Sequence, residues 1–331
     1  MPTPALPWLS VLVPVYKVEA YIGECLGSVL SQADAGVEIV VVDDASPDAS
    51  MDVVRRLQAA HPGRIRCVAH PVNRGLSAAR NTALDEARGG HVWFLDSDDV
   101  LMPGAIAGLR AVLERDAPDL VLCDFRLLRQ RFGLRHRLRG ELHRRSFAGR
   151  AGCSDDRSAL LSGLLEGRQL HAWSKIATLE AWRGARFPEG RCFEDIAVIP
   201  ALVGGVRRWC HVPSVWVGYR QRGDSIMANM TPDKSRDLLC SLREFRRGIL
   251  ALTGVSPRAC QALDYFCLRT FASLARKLPV DDEALVRECR AAIAEAFPQG
   301  LPALLAQYRA RGWRLRSWRA GRSLDKRGWL H

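Results

Sequence analysis

Val92-Trp93-Phe94-Leu95-Asp96-Ser97-Asp98-Asp99 joins an apolar run to three carboxylates with no spacer between them. The apolar half reads as a buried strand. The acidic half needs a counter-charge, because carboxylates this close repel and each prefers water or a cation to its neighbours. Residues two apart on an extended chain point the same way, with Cα atoms roughly 6.5 Å apart, so Asp96 and Asp98 can address one ligand together. Oxygen-only ligands favour a hard divalent ion, Mn²⁺ or Mg²⁺, over zinc. The same residues also suit a solvated turn in which Asp99 and Pro103-Gly104 lead into a helix. On the cluster alone both readings stand.

Upstream of this stretch, apolar runs alternate with helical periodicity, the pattern of βαβ units around a mainly parallel sheet. Strands are expected at Leu9 to Val13, Glu38 to Val42, Ile65 to Val68, His91 to Leu95 and Leu120 to Cys123. Tyr21, Ile22, Cys25, Leu26, Val29 and Leu30 form one apolar helical face between the first two. Ser46, Pro47 and Asp48 read as the cap, first residue and dipole partner of the second helix. Further helices are expected after Leu76-Ser77 and after Pro103. The organisation expected is a core over residues 1–125, a second part over 126–230 rich in aromatics and short strands, and a helical basic region over 231–331. Within these, Arg126 to Arg150 reads as a mobile or partner-dependent connection and Ser158 to Leu165 as a short helix.

The 331 residues are 48% hydrophobic and 25% charged, an ordinary globular balance, and no apolar run approaches the length of a spanning helix. The N-terminus carries no basic segment or apolar signal core, so secretion is not expected. Ten cysteines are scattered without a Cys-x-x-Cys pair and read as reduced core residues of a cytoplasmic protein. The net charge of +12 is uneven: Arg126 to Arg145 holds eight arginines against Glu141, and Arg309 to Arg327 holds eight Lys or Arg against Asp325. Fields of that sign favour nucleotide phosphates, anionic lipid or nucleic acid.

Ligands of open α/β sheets bind beyond the carboxyl ends of the strands. Four polar signals fall there: Pro14-Val15-Tyr16 with Glu19, Asp43-Asp44, Asn73-Arg74-Gly75, and Asp96-Ser97-Asp98. Only one of Asp43 and Asp44 can face a ligand, and either could instead cap the following helix. Gly75 permits close backbone approach before a helix N-terminus, and Arg80 could pair with phosphate, with the aspartates, or in a purely structural salt bridge. A nicotinamide site is excluded at the first turn, which has no glycine where Gly-x-Gly-x-x-Gly should stand, and no P-loop is present.

Val13-Pro14-Val15-Tyr16 with Glu19, Ser28 to Gln32, Val40 through Asp48, Asn73-Arg74-Gly75 through Arg80-Asn81 and Phe94 through Asp99 resemble, in order and spacing, the family 2 glycosyltransferases. The resemblance covers about the first 120 residues. It implies an α/β GT-A fold, a Rossmann-like mainly parallel sheet flanked by helices, here with a helical C-terminal extension. It implies inverting transfer from a nucleotide-sugar donor, with UDP the expected nucleotide. Donor-binding residues would be Pro14, Val15, Tyr16, Glu19, Asp44, Asn73, Gly75, Arg80, Asp96, Ser97 and Asp98. Asp44 would contact the base, and Asp96 and Asp98 would bridge ribose, divalent metal (Mn or Mg) and diphosphate.

The second half resembles bacterial members that build surface polysaccharides. The carriers are His171-Ala172-Trp173-Ser174-Lys175 and Phe187-Pro188-Glu189-Gly190-Arg191-Cys192-Phe193-Glu194-Asp195. By that resemblance Asp195 is the catalytic base, with Trp173, Lys175 and Glu194 on the acceptor side. Arg220 through Ile226 resembles a later stretch from which Arg222 would close on the diphosphate. The acceptor expected is a glycan or lipid-linked glycan. A sugar nucleotidyltransferase is the alternative enzyme, disfavoured by the missing glycine-rich loop. In the tail, Trp313, Trp318 and Trp329 interleave with arginines. That mix suits contact with an anionic membrane surface at the inner face of the cell membrane, or ordinary helix packing; a nucleic-acid-binding module is disfavoured.

Overall fold

The computed structural model describes residues 6–129, 133–221, 230–277, 282–310 and 312–329. Three parallel strands form one half of the sheet: β1 (Leu9–Val15), β2 (Val37–Asp43) and β3 (Ile65–Ala69), with β4 (His91–Phe94) parallel to β1 on its other side. The helices between them are α1 (Ile22–Leu30), α2 (Ser50–Ala60) and α3 (Leu76–Glu86). The short β5 (Val100–Leu101) and α4 (Ala105–Asp116) lead into β6 (Leu120–Leu128). Then come α5 (Leu134–Leu138), β7 (Gly152–Ser154), α6 (Arg157–Gly167), β8 (Lys175–Thr178), α7 (Leu179–Arg183), α8 (Glu194–Gly204) and β9 (Trp209–Arg220). The sheet order is β3-β2-β1-β4-β8-β6-β9-β5, with β7 on β9. One sheet therefore runs through residue 125, since β6 crosses it.

The continuous apolar strands arise because both faces are covered. Val11, Val13, Ile39 and Val41 pack with α1 and α4 on one face, and Leu12, Val40 and Val42 with α3 and the later helices on the other. In β4 the same alternation sends Trp93 and Leu95 one way and Val92 and Phe94 the other.

The helices α9 (Pro232–Ala251), α10 (Pro257–Lys277), α11 (Glu283–Ala296), α12 (Leu301–Ala310) and α13 (Arg314–Asp325) complete the chain. Leu238, Leu239, Leu242 and Phe245 of α9 are buried against the second face, while α10 lies on α6 and α13. Among the described residues no helix is long and apolar enough to cross a membrane. Of the three tail tryptophans, Trp329 is buried, Trp313 packs on Tyr265 and Tyr308, and Trp318 is exposed.

Four sequence readings are corrected. Helix α2 begins at Ser50, not at Pro47 with Ser46 as its cap. Ser46 instead takes the Lys17 N–H and donates to Asp48, pinning the loop after β2 to the loop after β1. Asp99 starts no helix: it is buried, and β5 follows it. The basic stretch after residue 125 is folded in its described parts. Glu141, its one acid, is buried under Arg129, and His143 bonds buried Asp124 at 2.7 Å. Finally, two cysteines are not reduced: Cys153 of β7 and Cys210 of β9 face each other in the antiparallel register and form a disulfide. A bridge of this kind adds about 2–4 kcal/mol. Thiol titration of unfolded, unreduced protein is expected to find eight reactive cysteines, and ten after reduction. Ten before reduction would remove the bridge.

Candidate active site

The carboxyl ends of β1, β2 and β4 open into one cleft of about 800 Å³. Pro14, Val15 and Tyr16 line it from β1, Asp44 from β2, Asn73 and Gly75 from the loop after β3. Asp96, Ser97 and Asp98 line it after β4. The opposite wall brings Trp173, Glu194 and Asp195, and α10 closes the far end with Phe266, Thr270 and Ser273.

Asp44 organises the loop after β3. Its buried carboxylate accepts the backbone N–H groups of Arg74 and Gly75, each at 2.8 Å, and meets His70 Nδ1 at 2.7 Å. Gly75 sits at φ 87°, a left-handed conformation that L side chains resist, and that turn aims its N–H at Asp44. Asn73 donates to the Asp44 carbonyl at 3.3 Å. Glu19 lies outside the cleft: it accepts the Ala49 N–H and so holds the start of α2.

Arg80, from α3, is the buried hub. It donates to Asp96 at 2.8 Å and to both Glu194 and Asp195 at 2.9 Å. Its face lies against Phe94 and Phe187. The alternation of β4 explains the meeting, since Phe94 is on the α3 face and Asp96 follows with the same parity. Burial opposes the guanidinium charge, but Asp195, Asp96 and Glu194 outweigh it and hold the pKa above the usual arginine value. Glu194 and Asp195 open α8, the end of a helix that favours negative charge. Burial, then the charge of Asp195, pushes Glu194 up to about 7. Burial also raises Asp195, while Arg80 and Lys175 pull it back.

Lys175 is buried outside the cleft lining. Its ammonium donates to the carbonyls of Gln169 and His171 at 2.9 and 2.8 Å, and burial brings its pKa to about 7 against the attraction of Asp195. The loop it fastens carries an aromatic cluster in which His171, Trp173 and Tyr219 meet one another, at 4.7 Å (His171–Trp173), 5.4 Å (Trp173–Tyr219) and 6.0 Å (His171–Tyr219).

Sequence reasoning missed Arg220. Its backbone N–H donates to Asp99 at 2.8 Å, its Nε to the Asp98 carbonyl at 2.9 Å and its terminal nitrogen to Glu24 at 2.7 Å. It therefore fastens the acidic loop to β9. Its position in the stretch Arg220 to Ile226 was the available signal; Arg222, the residue chosen there, lies outside the described residues. Asp99 keeps its second oxygen buried and without a hydrogen-bond partner among the described residues, and burial with the charges of Asp96 and Asp98 drives its pKa well up.

Residues 10–159 match the profile of Glycosyl transferase family 2. The "uncharacterized glycosyltransferase EpsJ" of Bacillus subtilis is 39% identical over 120 residues, 36% of this chain and 34% of that protein. The match thus spans about a third of that relative's length. Residues 1–349 of S. aureus TarS, crystallised with UDP-GlcNAc, superpose with a TM-score of 0.73 at 22% identity, covering 97% of this chain and 92% of the other. The mannosyltransferase PcManGT of Pyrobaculum calidifontis, in complex with GDP-Man and Mn²⁺, superposes at 0.57 and 22%, covering 98% and 88%. The fold is the GT-A fold. The match to glycosyltransferase family 2 is carried by residues 10–159, a little under half of the chain.

Proposed function

We propose that the protein transfers a sugar from a UDP-linked donor to a hydroxyl of a glycan acceptor with inversion, using Asp195 as general base. The observation that carries this reading is the Arg80 hub, which sets Asp195 and Asp96 on one guanidinium across one cleft. The donor's base fits the Asp44 loop and its diphosphate the loop after β4. TarS with UDP-GlcNAc supports a UDP-sugar.

A divalent ion fits the donor set. Asp96 and Asp98 line the cleft with oxygen ligands only, and the buried, unpartnered oxygen of Asp99 marks a loop with more negative charge than its protein donors balance. Asp96 and Asp98 would hold the ion, which when bound supplies Lewis-acid stabilisation of the diphosphate leaving group. Two protein ligands suffice for Mg²⁺ or Mn²⁺ when water and phosphate oxygens complete the shell. PcManGT with Mn²⁺ supports this. Asp195 takes the proton of the acceptor hydroxyl as it attacks the anomeric carbon from the face opposite the diphosphate. Tyr219, backed by the buried Trp173, offers the acceptor sugar an apolar ring.

Thermal melting with UDP-, GDP- and dTDP-sugars, with and without Mn²⁺, tests the donor. A ligand at roughly 100 times its Kd adds about 2.7 kcal/mol, so UDP-sugar with Mn²⁺ is expected to raise Tm by several degrees. Asp98→Ala is expected to abolish the Mn²⁺-dependent part. No shift with any nucleotide-sugar would overturn the reading.

A further inference from the structure

A second concavity of about 760 Å³ lies between α10 and α13, and its charged lining is entirely cationic. Arg269 and Arg276 come from α10; Arg316, Arg319 and Arg322 come from α13, with Lys326 just beyond. Among the described residues none of these six makes an ion pair, whereas arginines elsewhere on the surface, such as Arg66, Arg110 and Arg236, are paired with carboxylates. What holds them is uncharged. Arg269 and Arg316 lie over the Tyr265 ring at 5.8 and 5.7 Å, Arg322 over Trp318 at 5.3 Å, and Arg276 donates to Ser323 at 3.1 Å. Ring faces orient guanidinium groups without neutralising them.

The groove adjoins the active site through one helix. Thr270, Ser273 and Lys277 of α10 line the cleft, while Arg269, Ala272 and Arg276 line the groove. Arg168, on the cleft wall, has a buried Nε without a hydrogen-bond partner. Burial and the charges of Arg269 and Arg276 lower its pKa to about 10, so the field of the groove reaches the cleft. On α13, Arg316, Arg319, Arg322 and Lys326 recur every three or four residues, a row of cations with a rise of about 4.5–6 Å between neighbours. Guanidinium forks match phosphate oxygens two at a time.

We infer that this groove binds successive phosphate groups of an acceptor chain whose reacting hydroxyl lies in the cleft, making the acceptor a phosphate-bearing glycan. The inference rests on the glycosyltransferase reading for the cleft but not for the groove itself. A flat membrane accounts less well for the geometry. Arg269 and Arg276 are contributed by α10, on a different helix from Trp318 of α13, the exposed large apolar side chain that lines the concavity.

Binding of inorganic polyphosphate to the full chain, saturated with UDP and Mn²⁺ to occupy the cleft, tests this, with inorganic phosphate and vesicles of phosphatidylcholine and phosphatidylglycerol as the other probes. Polyphosphate is expected to bind far more tightly than phosphate, to weaken with added salt, and to lose at least about tenfold in affinity in Arg319→Glu/Arg322→Glu. Both residues are exposed, and the milder Arg319→Gln/Arg322→Gln, expected to weaken binding in the same direction, guards against misfolding. The UDP-dependent rise in Tm is expected to be unchanged in both variants. Equal polyphosphate affinity in wild type and both variants would overturn the inference, as would vesicle binding without polyphosphate binding. Absence of the UDP shift in wild type would count against the donor reading alone, since polyphosphate binding is read separately.

Discussion

Arg80→Met is expected to destabilise the protein by about 3–5 kcal/mol near neutral pH, the usual cost of leaving buried charge without its partner. The side chain is 2% exposed and is shared by Asp96, Glu194 and Asp195, so its removal leaves three carboxylates crowded around an apolar stem. They relieve the repulsion by binding protons, which raises their folded pKa values above the unfolded ones. A carboxylate shifted in that direction stabilises fully below its unfolded pKa, and the contribution is lost as pH rises through the folded pKa. The deficit is therefore expected to be small near pH 4.5 and to grow toward pH 8. Glu194, already raised to about 7, gives wild type a weaker slope of the same sign. Urea unfolding at both pH values measures it. A loss below about 1 kcal/mol at pH 8 would show that the hub is not the electrostatic centre described above.

The parts of this site that sequence alone disclosed are those carried by one strand and its exit. β1, β2 and β4 are apolar without a break because both faces are covered, and each ends in the polar residues that the cleft displays. Gly75 was legible for the same local reason, as the residue able to turn before α3. The partners of Arg80 were not. They lie 16, 114 and 115 residues away, and nothing in the spacing of Arg80 chooses among phosphate, Asp96 and the α8 carboxylates. Ser46-Pro47-Asp48 misled because a good cap signal also makes a good loop clasp: Ser46 and Asp48 accept N–H groups of the β1 loop, and Asp48 alone also takes the N–H of Ser50 at the start of α2. Cys153 and Cys210, 57 residues apart, are joined only by the register of β7 on β9. In the basic stretch the charge count hid the decisive residues, buried Asp124 and Glu141, which draw His143 and Arg129 onto the sheet.

Asp195→Asn is expected to lower turnover by about 10²–10⁴-fold, the range for loss of a positioned general base, while leaving UDP-sugar binding within about twofold. The substitution keeps the volume and the oxygen facing Arg80 at 2.9 Å, so the hub retains its geometry and only the proton acceptor is lost. Asp195 is suited to the role because burial raises its pKa toward the working range, making it a stronger base, while Arg80 and Lys175 prevent it from staying protonated. The base must be ionised to act, so wild-type kcat is expected to climb with pH through the raised Asp195 pKa and then level. The residual rate of the Asn variant should lack that acid limb. Lys175→Met should shift the limb to higher pH, because the cation that favours the ionised carboxylate is gone; below pH 7 Lys175 is mostly charged, its own pKa being about 7. Transfer assays across pH, with donor affinity measured in parallel, separate chemistry from binding. An Asn variant retaining more than a tenth of the wild-type rate, or showing the same acid limb, would place the base elsewhere on the cleft wall.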